Sequence, residues 1–238
     1  MGCVRAVMAA IGLAVIWFLV PVPILAPSSR AQAPPNKSEI REYKGLFAST
    51  IKGDLAETQR LLAAGADPKI TDDQGRTPLH IAFHRREREI ARALAKAGAD
   101  PRATDNRGYD ILGIAVVRDD PELVALALEL GADPKAITGS YGGTVLNAAA
   151  QLGHDGVVSA LIKAGAPLDH VNKAGWTALI EAIVLGEGTP RHLACVEALL
   201  AAGANPNLAD RNGLTPLTLA KKRGYTAIAD AIAKAGGK

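Results

Sequence analysis

The chain has 238 residues, of which 48% are hydrophobic, 21% charged and only 4% aromatic, so it is long enough to bury a core that contains few large rings. Its formal net charge of +3 falls to +1 when Arg5 and Arg30 are left out, and a nearly neutral chain of this kind argues against nucleic-acid binding. Two cysteines, Cys3 and Cys195, cannot form a disulfide framework.

The first 31 residues have the pattern of a secretory signal peptide. Arg5 supplies one positive charge, a 15-residue apolar run covers Ala6–Val20, and three prolines follow. Small side chains at Ser29 and Ala31 predict cleavage after Ala31. Residues 32–38 are then predicted to be a short extended linker.

An uncleaved membrane anchor is the alternative for this segment. No charged residue occurs from Ala6 to Ser29, and a membrane span needs about 20 apolar residues. We expect an exported, periplasmic protein of a bacterium, with secretion or anchoring by an uncleaved N-terminal segment as the alternatives. A membrane contact is expected only if the segment is retained.

Two short signatures recur along the rest of the chain. The first is Gly-Ala-Asp-Pro or a close variant, and its glycines are 33, 33, 34 and 38 residues apart, at Gly65, Gly98, Gly131, Gly165 and Gly203. The second, typified by Gly75-Arg76-Thr77-Pro78-Leu79, follows each of them and begins at Gly75, Gly108, Gly143, Gly175 and Gly213. We number the repeats one to five from Gly65.

With both signatures repeating, residues 39–238 resemble the ankyrin-repeat family, whose period is 33 residues. The resemblance implies an all-α ankyrin-repeat solenoid of about six helix-turn-helix units with hairpin loops, in which the outer two act as caps. Thr77 before Pro78 is a typical helix start, because a proline at the first helical position has a preset φ and no N–H to leave unpaired. Repeat four carries five extra residues near 186–190, either as a tolerated surface insertion or as a binding loop.

Residues that could carry chemistry have structural explanations. His80 and His84 are four apart on a predicted helix, but no third metal ligand is evident, and the resemblance implies that His80 braces a loop. Cys195, three residues after His192, is expected to be a buried or half-buried free thiol. No phosphate or dinucleotide motif is present. We therefore expect no catalytic residue, metal, cofactor or small-molecule substrate; a metal- or thiol-dependent enzyme is the rival hypothesis.

In ankyrin repeats the hairpin tips and first helices contact a protein partner. The resemblance places these residues at that surface: Gln74, Arg76, Arg107, Tyr109, Tyr141, Lys173, Trp176, Arg211 and Leu214. The helix-face positions are His84, Arg85, Arg118, Gln151 and Leu185.

Three of the seven aromatic residues after Ala31 fall on consecutive tips, at Tyr109, Tyr141 and Trp176. Packing against a neighbouring hairpin explains one such ring. Three in succession beside basic residues predict a binding hot spot for a protein segment of some acidic character.

The expected function is therefore a non-catalytic protein-protein interaction module of the cell envelope, monomeric, with a partner of unknown identity. A membrane-tethered scaffold and a secreted effector are alternatives that share the fold.

Overall fold

The computed structural model describes residues 34–138 and 141–238. The predicted signal peptide, and the residues of the linker that precede Pro34, lie outside these ranges. The helices are Lys37–Glu42 (α1), Gly45–Lys52 (α2), Leu55–Ala63 (α3), Pro78–Arg85 (α4), Arg88–Lys96 (α5), Ile111–Val117 (α6), Pro121–Glu129 (α7), Val145–Leu152 (α8), Asp155–Lys163 (α9), Ala178–Val184 (α10), Pro190–Ala201 (α11), Pro216–Arg223 (α12) and Thr226–Lys234 (α13).

Six helix pairs, α2–α3 through α12–α13, stack along the chain as predicted. The first helices of the pairs pack on one another in order, and the second helices form a parallel layer behind them. One column of the second helices is fully buried at Leu94, Ala127, Leu161, Leu199 and Ile232. Alanines on the first helices, such as Ala82 and Ala115, are also fully buried, so the helices approach closely and the core needs few rings.

Each first helix after the N-terminal pair begins at a threonine or aspartate cap. Thr77 accepts a hydrogen bond from the backbone N–H of His80, and Pro78 is the first helical residue, as predicted. Asp110 replaces threonine in repeat two and accepts from Gly113 N–H at 2.9 Å. The departure of repeat two from the consensus therefore leaves its helix start capped.

The N-terminal unit begins earlier than predicted. The linker was expected to extend to residue 38, but α1 begins at Lys37, and Asn36 and Glu39 form a capping box. The Asn36 N–H donates to Glu39 Oε2 at 2.8 Å, and Asn36 Oδ1 accepts from the Glu39 N–H at 3.1 Å. These two bonds satisfy N–H groups at the helix start, which favours a helix over an extended linker.

The insertion of repeat four lies where it was predicted, between α10, which ends at Val184, and α11, which begins at Pro190. Part of it lengthens α11, which has 12 residues whereas α9 has 9. The described residues contain one strand pair, Ile137–Thr138 (β1) with Gly143–Thr144 (β2), in antiparallel register. Among the helices of residues 34–138 and 141–238, none has the length and hydropathy of a membrane span.

Candidate functional site

The hairpins that precede the first helices form a row of fingers. We call residues 70–76, 103–109, 137–144, 170–176 and 208–214 fingers one to five. Four of them are closed in the same way, by a side-chain oxygen that accepts two backbone N–H groups. The residues that close them are Asp72, Asp105, Asn172 and Asp210.

Neighbouring fingers are joined by backbone hydrogen bonds. The Asn106 N–H donates to Gln74 O at 2.9 Å, and the Lys173 N–H donates to Tyr141 O at 2.9 Å. The His170 side chain adds a contact of 2.7 Å between its Nε2 and Gly142 O. These bonds hold finger one against finger two and finger three against finger four.

The aromatic residues expected at the fingertips differ in exposure. Tyr141 is 39% exposed, whereas Tyr109 and Trp176 are half-buried. Burial raises the pKa of the Tyr109 phenol. Tyr141 thus offers the most accessible ring, and the other two rings are partly packed.

Two exposed apolar residues on fingers three and four were missed by the sequence reasoning. Ile137 is 53% and Val171 is 51% exposed. Each stands six positions after the first glycine of its repeat, where repeats one and two have Thr71 and Thr104. That departure from threonine was a signal that could have identified them. Together with Tyr141 they give fingers three and four an apolar surface.

Arg76 is only 4% exposed, so the prediction that it contacts a partner is wrong. Its guanidinium donates to Asp72 Oδ2 at 2.8 Å, to Glu39 Oε2 at 2.8 Å and to the Tyr43 hydroxyl at 3.1 Å. The Tyr43 hydroxyl in turn donates to Asp72 Oδ2 at 2.7 Å, and burial raises its pKa. Arg76 therefore holds α1 against finger one.

The remaining predicted contact residues lie along the row. The exposed ones are Gln74, Arg107, Lys173 and Arg211, and Leu214 is half-buried. Between α1 and the first two fingers there is a pocket of ≈ 180 Å³, lined in part by Asn36, Glu39, Gln74, Asp105 and Arg107. Its lining carries both signs of charge.

The histidines hold backbone segments in place. His80 Nδ1 lies 2.8 Å from Thr77 Oγ1, and its Nε2 lies 3.2 Å from Tyr109 O, so the loop-bracing role implied for His80 is confirmed. His154 Nδ1 lies 2.8 Å from Val116 O. These contacts tie the α4–α5 pair to the following repeat and the α8–α9 pair to the preceding one.

Glu181 on α10 is a buried carboxylate that the sequence reasoning missed. It is 5% exposed, and its Oε1 accepts from Asn147 Nδ2 at 3.0 Å and from Asn172 Nδ2 at 2.5 Å. Burial raises the pKa of Glu181 to about 7, although both amide hydrogen bonds favour the ionised form. The signal in the sequence was Asn172, which stands where repeats one, two and five have aspartate.

Basic side chains gather where the first helices end. Lys52, Arg85 and Arg118 occupy equivalent positions in α2, α4 and immediately after α6, and the first two are exposed. The Nε of Arg118 is buried without a hydrogen-bond partner. Burial, with His80, Arg76 and Arg118 nearby, lowers the pKa of His84 to about 4, so His84 is neutral.

The residues named in the enzyme hypothesis are arranged for structure. Within the described ranges, no group of three or more His, Cys, Asp or Glu side chains could hold a metal ion. Cys195 is fully buried, and burial raises the pKa of its thiol to about 12, so the reactive thiolate is scarce at neutral pH. His192 is engaged by Thr189 Oγ1 at 2.7 Å and by Gln151 O at 3.1 Å.

Comparisons with known proteins agree with this architecture. A family model described as ankyrin repeats (3 copies) matches residues 46–138 and 112–210. The ankyrin repeat protein YahD of Escherichia coli (strain K12) is 35% identical over 78% of this chain and 92% of that protein.

Among solved structures, an ankyrin repeat domain from Acinetobacter baumannii AYE is 39% identical, with a TM-score of 0.76 over 81% of this chain and 98% of that chain. A complex of the Bd0816 predatory endopeptidase from Bdellovibrio bacteriovorus with immunity protein Bd3460 contains a chain that matches with 27% identity and a TM-score of 0.64, over 81% of this chain and 98% of that chain. The fold, the repeat and the matched lengths agree, and the chain belongs to the ankyrin-repeat family.

Proposed function

We propose that this chain is a non-catalytic binding protein of the bacterial cell envelope, whose fingers and first-helix ends bind another protein. The observation that carries the proposal is the apolar surface of fingers three and four. Ile137, Tyr141 and Val171 are all exposed, although each could be polar without any loss to the core. Exposed apolar side chains gathered on one edge are typical of interaction sites.

The charges beside this surface indicate the character of the partner. Lys173 and Arg211 are exposed on fingers four and five. Cationic side chains beside an apolar surface favour a partner that carries carboxylates, because opposite charges across an interface attract. We therefore propose a partner segment that combines apolar and acidic side chains.

The comparison with the Bdellovibrio complex supports a role in binding another protein. That complex joins an endopeptidase to an immunity protein, which is an interaction between two proteins. We propose the same type of interaction here, with the partner defined by its surface chemistry.

A pull-down tests the binding role. Full-length protein and a Tyr109→Ala/Tyr141→Ala/Trp176→Ala variant are crosslinked in periplasmic extract, and the captured proteins are quantified by mass spectrometry. Ile40→Ala is the matched control, because Ile40 is an exposed apolar residue of α1, away from fingers three and four. We expect a partner that the wild type and the control capture and the triple variant does not.

Affinity and stability measurements complete this test. The captured partner is purified and its Kd measured for all three proteins, together with their thermal unfolding. Equal capture and equal Kd for the triple variant would refute the fingertip surface. A large loss of thermal stability in the triple variant would instead indicate that the rings serve packing between fingers.

The proposed location is tested separately. Edman sequencing of the protein from a bacterial envelope fraction is expected to begin at Gln32. A mature chain that starts at Met1 and sediments with membranes would favour the tethered scaffold, which would present the same fingers from a membrane surface.

A further inference from the structure

Asn172 and Glu181 form a matched pair in repeat four. In fingers one, two and five the closing residue is an aspartate, whereas finger four uses Asn172. Asn172 Oδ1 closes the finger by accepting from Trp176 N–H at 3.0 Å, and its Nδ2 donates to Glu181 at 2.5 Å. An aspartate has no donor, and it would place a second carboxylate against Glu181. The asparagine is therefore the residue that allows a buried glutamate here.

Asn147 connects the same carboxylate to finger three. It stands in α8 where α4 has His80, and its Oδ1 lies 2.8 Å from Thr144 Oγ1 at the end of that finger. Its Nδ2 donates to Glu181 Oε1 at 3.0 Å and to Trp176 O at 3.4 Å. A single oxygen of Glu181 thus joins finger three, which carries Tyr141, to finger four, which carries Trp176.

No basic side chain of the described residues pairs with this carboxylate. The His170 imidazole on finger four lowers the pKa of Glu181. Three helices pack against α10, and one of them, α8, has no charged side chain. The titratable residues of the other two are Arg191, His192, Cys195 and Glu197 of α11 and Lys221, Lys222 and Arg223 of α12. Arg191 pairs with Asp119 and Asp155, and Arg223 bonds to Val184 O.

We propose that Glu181 is a pH-sensitive positioning residue of the finger surface: exchange of one proton between its carboxyl group and solvent changes how firmly fingers three and four are held together. The proton enters at Oε2, because Oε1 already accepts both amides. The neutral acid is a weaker acceptor than the carboxylate, so both amide bonds weaken and the loops of Tyr141 and Trp176 loosen. The raised pKa of about 7 brings this exchange into the neutral range.

The consequence for binding rests on the proposed function. Loops that are held in place before a partner arrives lose less freedom on binding. The ionised form is therefore the tighter binder, and affinity falls as the pH drops below neutrality. The change in the fingers themselves requires no partner.

Tryptophan fluorescence tests the change in the fingers directly. The chain has two tryptophans, so Trp17→Phe in the full chain leaves Trp176 as the reporter beside the carboxyl group. The emission of Trp176 is recorded between about pH 5 and about pH 9. We expect a transition with a midpoint near pH 7 that is lost in Glu181→Gln.

Three further variants keep the test decisive. Glu197→Gln, an exposed change on α11, should keep the transition. His170→Gln should also keep it, with a small upward shift of the midpoint, because the side chain that lowers the pKa of Glu181 is removed. Asn172→Asp should shift it upward more strongly, and this variant serves if Glu181→Gln fails to fold. A flat wild-type titration, or a transition that survives Glu181→Gln unchanged, would overturn the proposal.

The binding consequence has its own measurement. The Kd of the captured partner should be several-fold weaker at about pH 6 than at about pH 8 for the wild type, with little change for Glu181→Gln. A fluorescence transition without any protein partner would support the proton exchange and refute the proposed function. A partner bound through the fingers, with no transition of Trp176, would refute the role of Glu181 and leave the proposed function intact.

Discussion

Two buried ionisable residues, Arg76 and Glu181, differ in whether an oppositely charged side chain lies beside them. Arg76 is neutralised by Glu39 and Asp72, at 2.8 and 2.7 Å, so its burial is matched by ion pairs. Glu181 has amide donors and no paired cation among the described residues. Burial without a counter-charge disfavours the charged form of a side chain, and it raises the pKa of a carboxyl group. We therefore expect the two residues to respond differently to substitution and to pH.

Substitution of Arg76 should destabilise the N-terminal unit. Arg76→Ala leaves Glu39 and Asp72 without their shared cation, and loss of one partner of a buried pair costs about 3 kcal/mol. Urea unfolding measures this cost, and Arg211→Ala, an exposed change on finger five, should stay within about 0.5 kcal/mol of the wild type. Equal stability of the two variants would contradict the anchoring role and return Arg76 to the candidate partner contacts.

Glu181 should make the protein less stable as the pH rises. The folded pKa of about 7 lies above the ordinary value of 4.5, so the folded state binds the proton more tightly. Stability contributed by the neutral acid is present below about pH 4.5 and is lost as the pH rises to about 7, on the order of 3 kcal/mol in total.

Urea unfolding of the wild type and of Glu181→Gln at several pH values measures this loss. We expect the two proteins to differ little at about pH 5, and the glutamine variant to be the more stable at about pH 8. A wild type that gains stability relative to the variant as the pH rises would show that the carboxylate is stabilised in the fold.

At the scale of elements, every helix is short, with 12 residues in α11 and 6 in α1. Helices of this length are marginal on their own in water, so caps and neighbours determine whether they form. The threonine and aspartate caps, and the fully buried column of the second helices, stabilise the helices along the stack. Helix α1 has no buried residue and depends on its capping box and on the Arg76 contacts.

Loss of the cap should therefore release α1 selectively. Asn36→Ala removes a capping box, at a cost of about 1 kcal/mol, and we expect faster amide hydrogen exchange over residues 37–42. Exchange in α8, which lies in the centre of the stack, provides the internal control and should not change. Unaltered protection of α1 would indicate that Arg76 alone holds the helix in place.

At the scale of the molecule, contacts run between neighbouring units. Each helix pair packs on the pair before and after it, so the stack has a core that extends along its length, with two ends. In such solenoids stability is a sum of unit and interface contributions. The position of a substitution along the stack therefore decides how much of the molecule it affects.

Substitutions of equivalent core residues should therefore differ in how many helices they affect. Leu161→Ala in α9 and Ile232→Ala in α13 both open a fully buried site, at about 2–5 kcal/mol each. Faster hydrogen exchange, read by mass spectrometry, should spread over α6 to α11 for Leu161→Ala, which has a neighbouring pair on each side, and over α10 to α13 for Ile232→Ala, which has a neighbouring pair on one side. Uniform acceleration along the chain in both variants would show that the stack unfolds as one unit.

The sequence alone determined the repeat, the order of the helices and the column that forms the core. Leu94, Leu161 and Leu199 recur in register because each unit must bury the same face against its neighbour, and that requirement is local and periodic. The caps at Thr77 and Thr215 are likewise readable, because a cap acts on residues two or three positions away.

Tertiary structure decided which residues of the candidate surface are free to bind. Arg76 was misassigned because its partner Glu39 lies 37 positions away in the chain, outside any repeat signature. Glu181 was missed because its environment is set by Asn147, 34 positions away, and by Asn172 across the finger. A period identifies the positions that all repeats share, whereas burial and charge pairing depend on side chains that only the folded stack brings together.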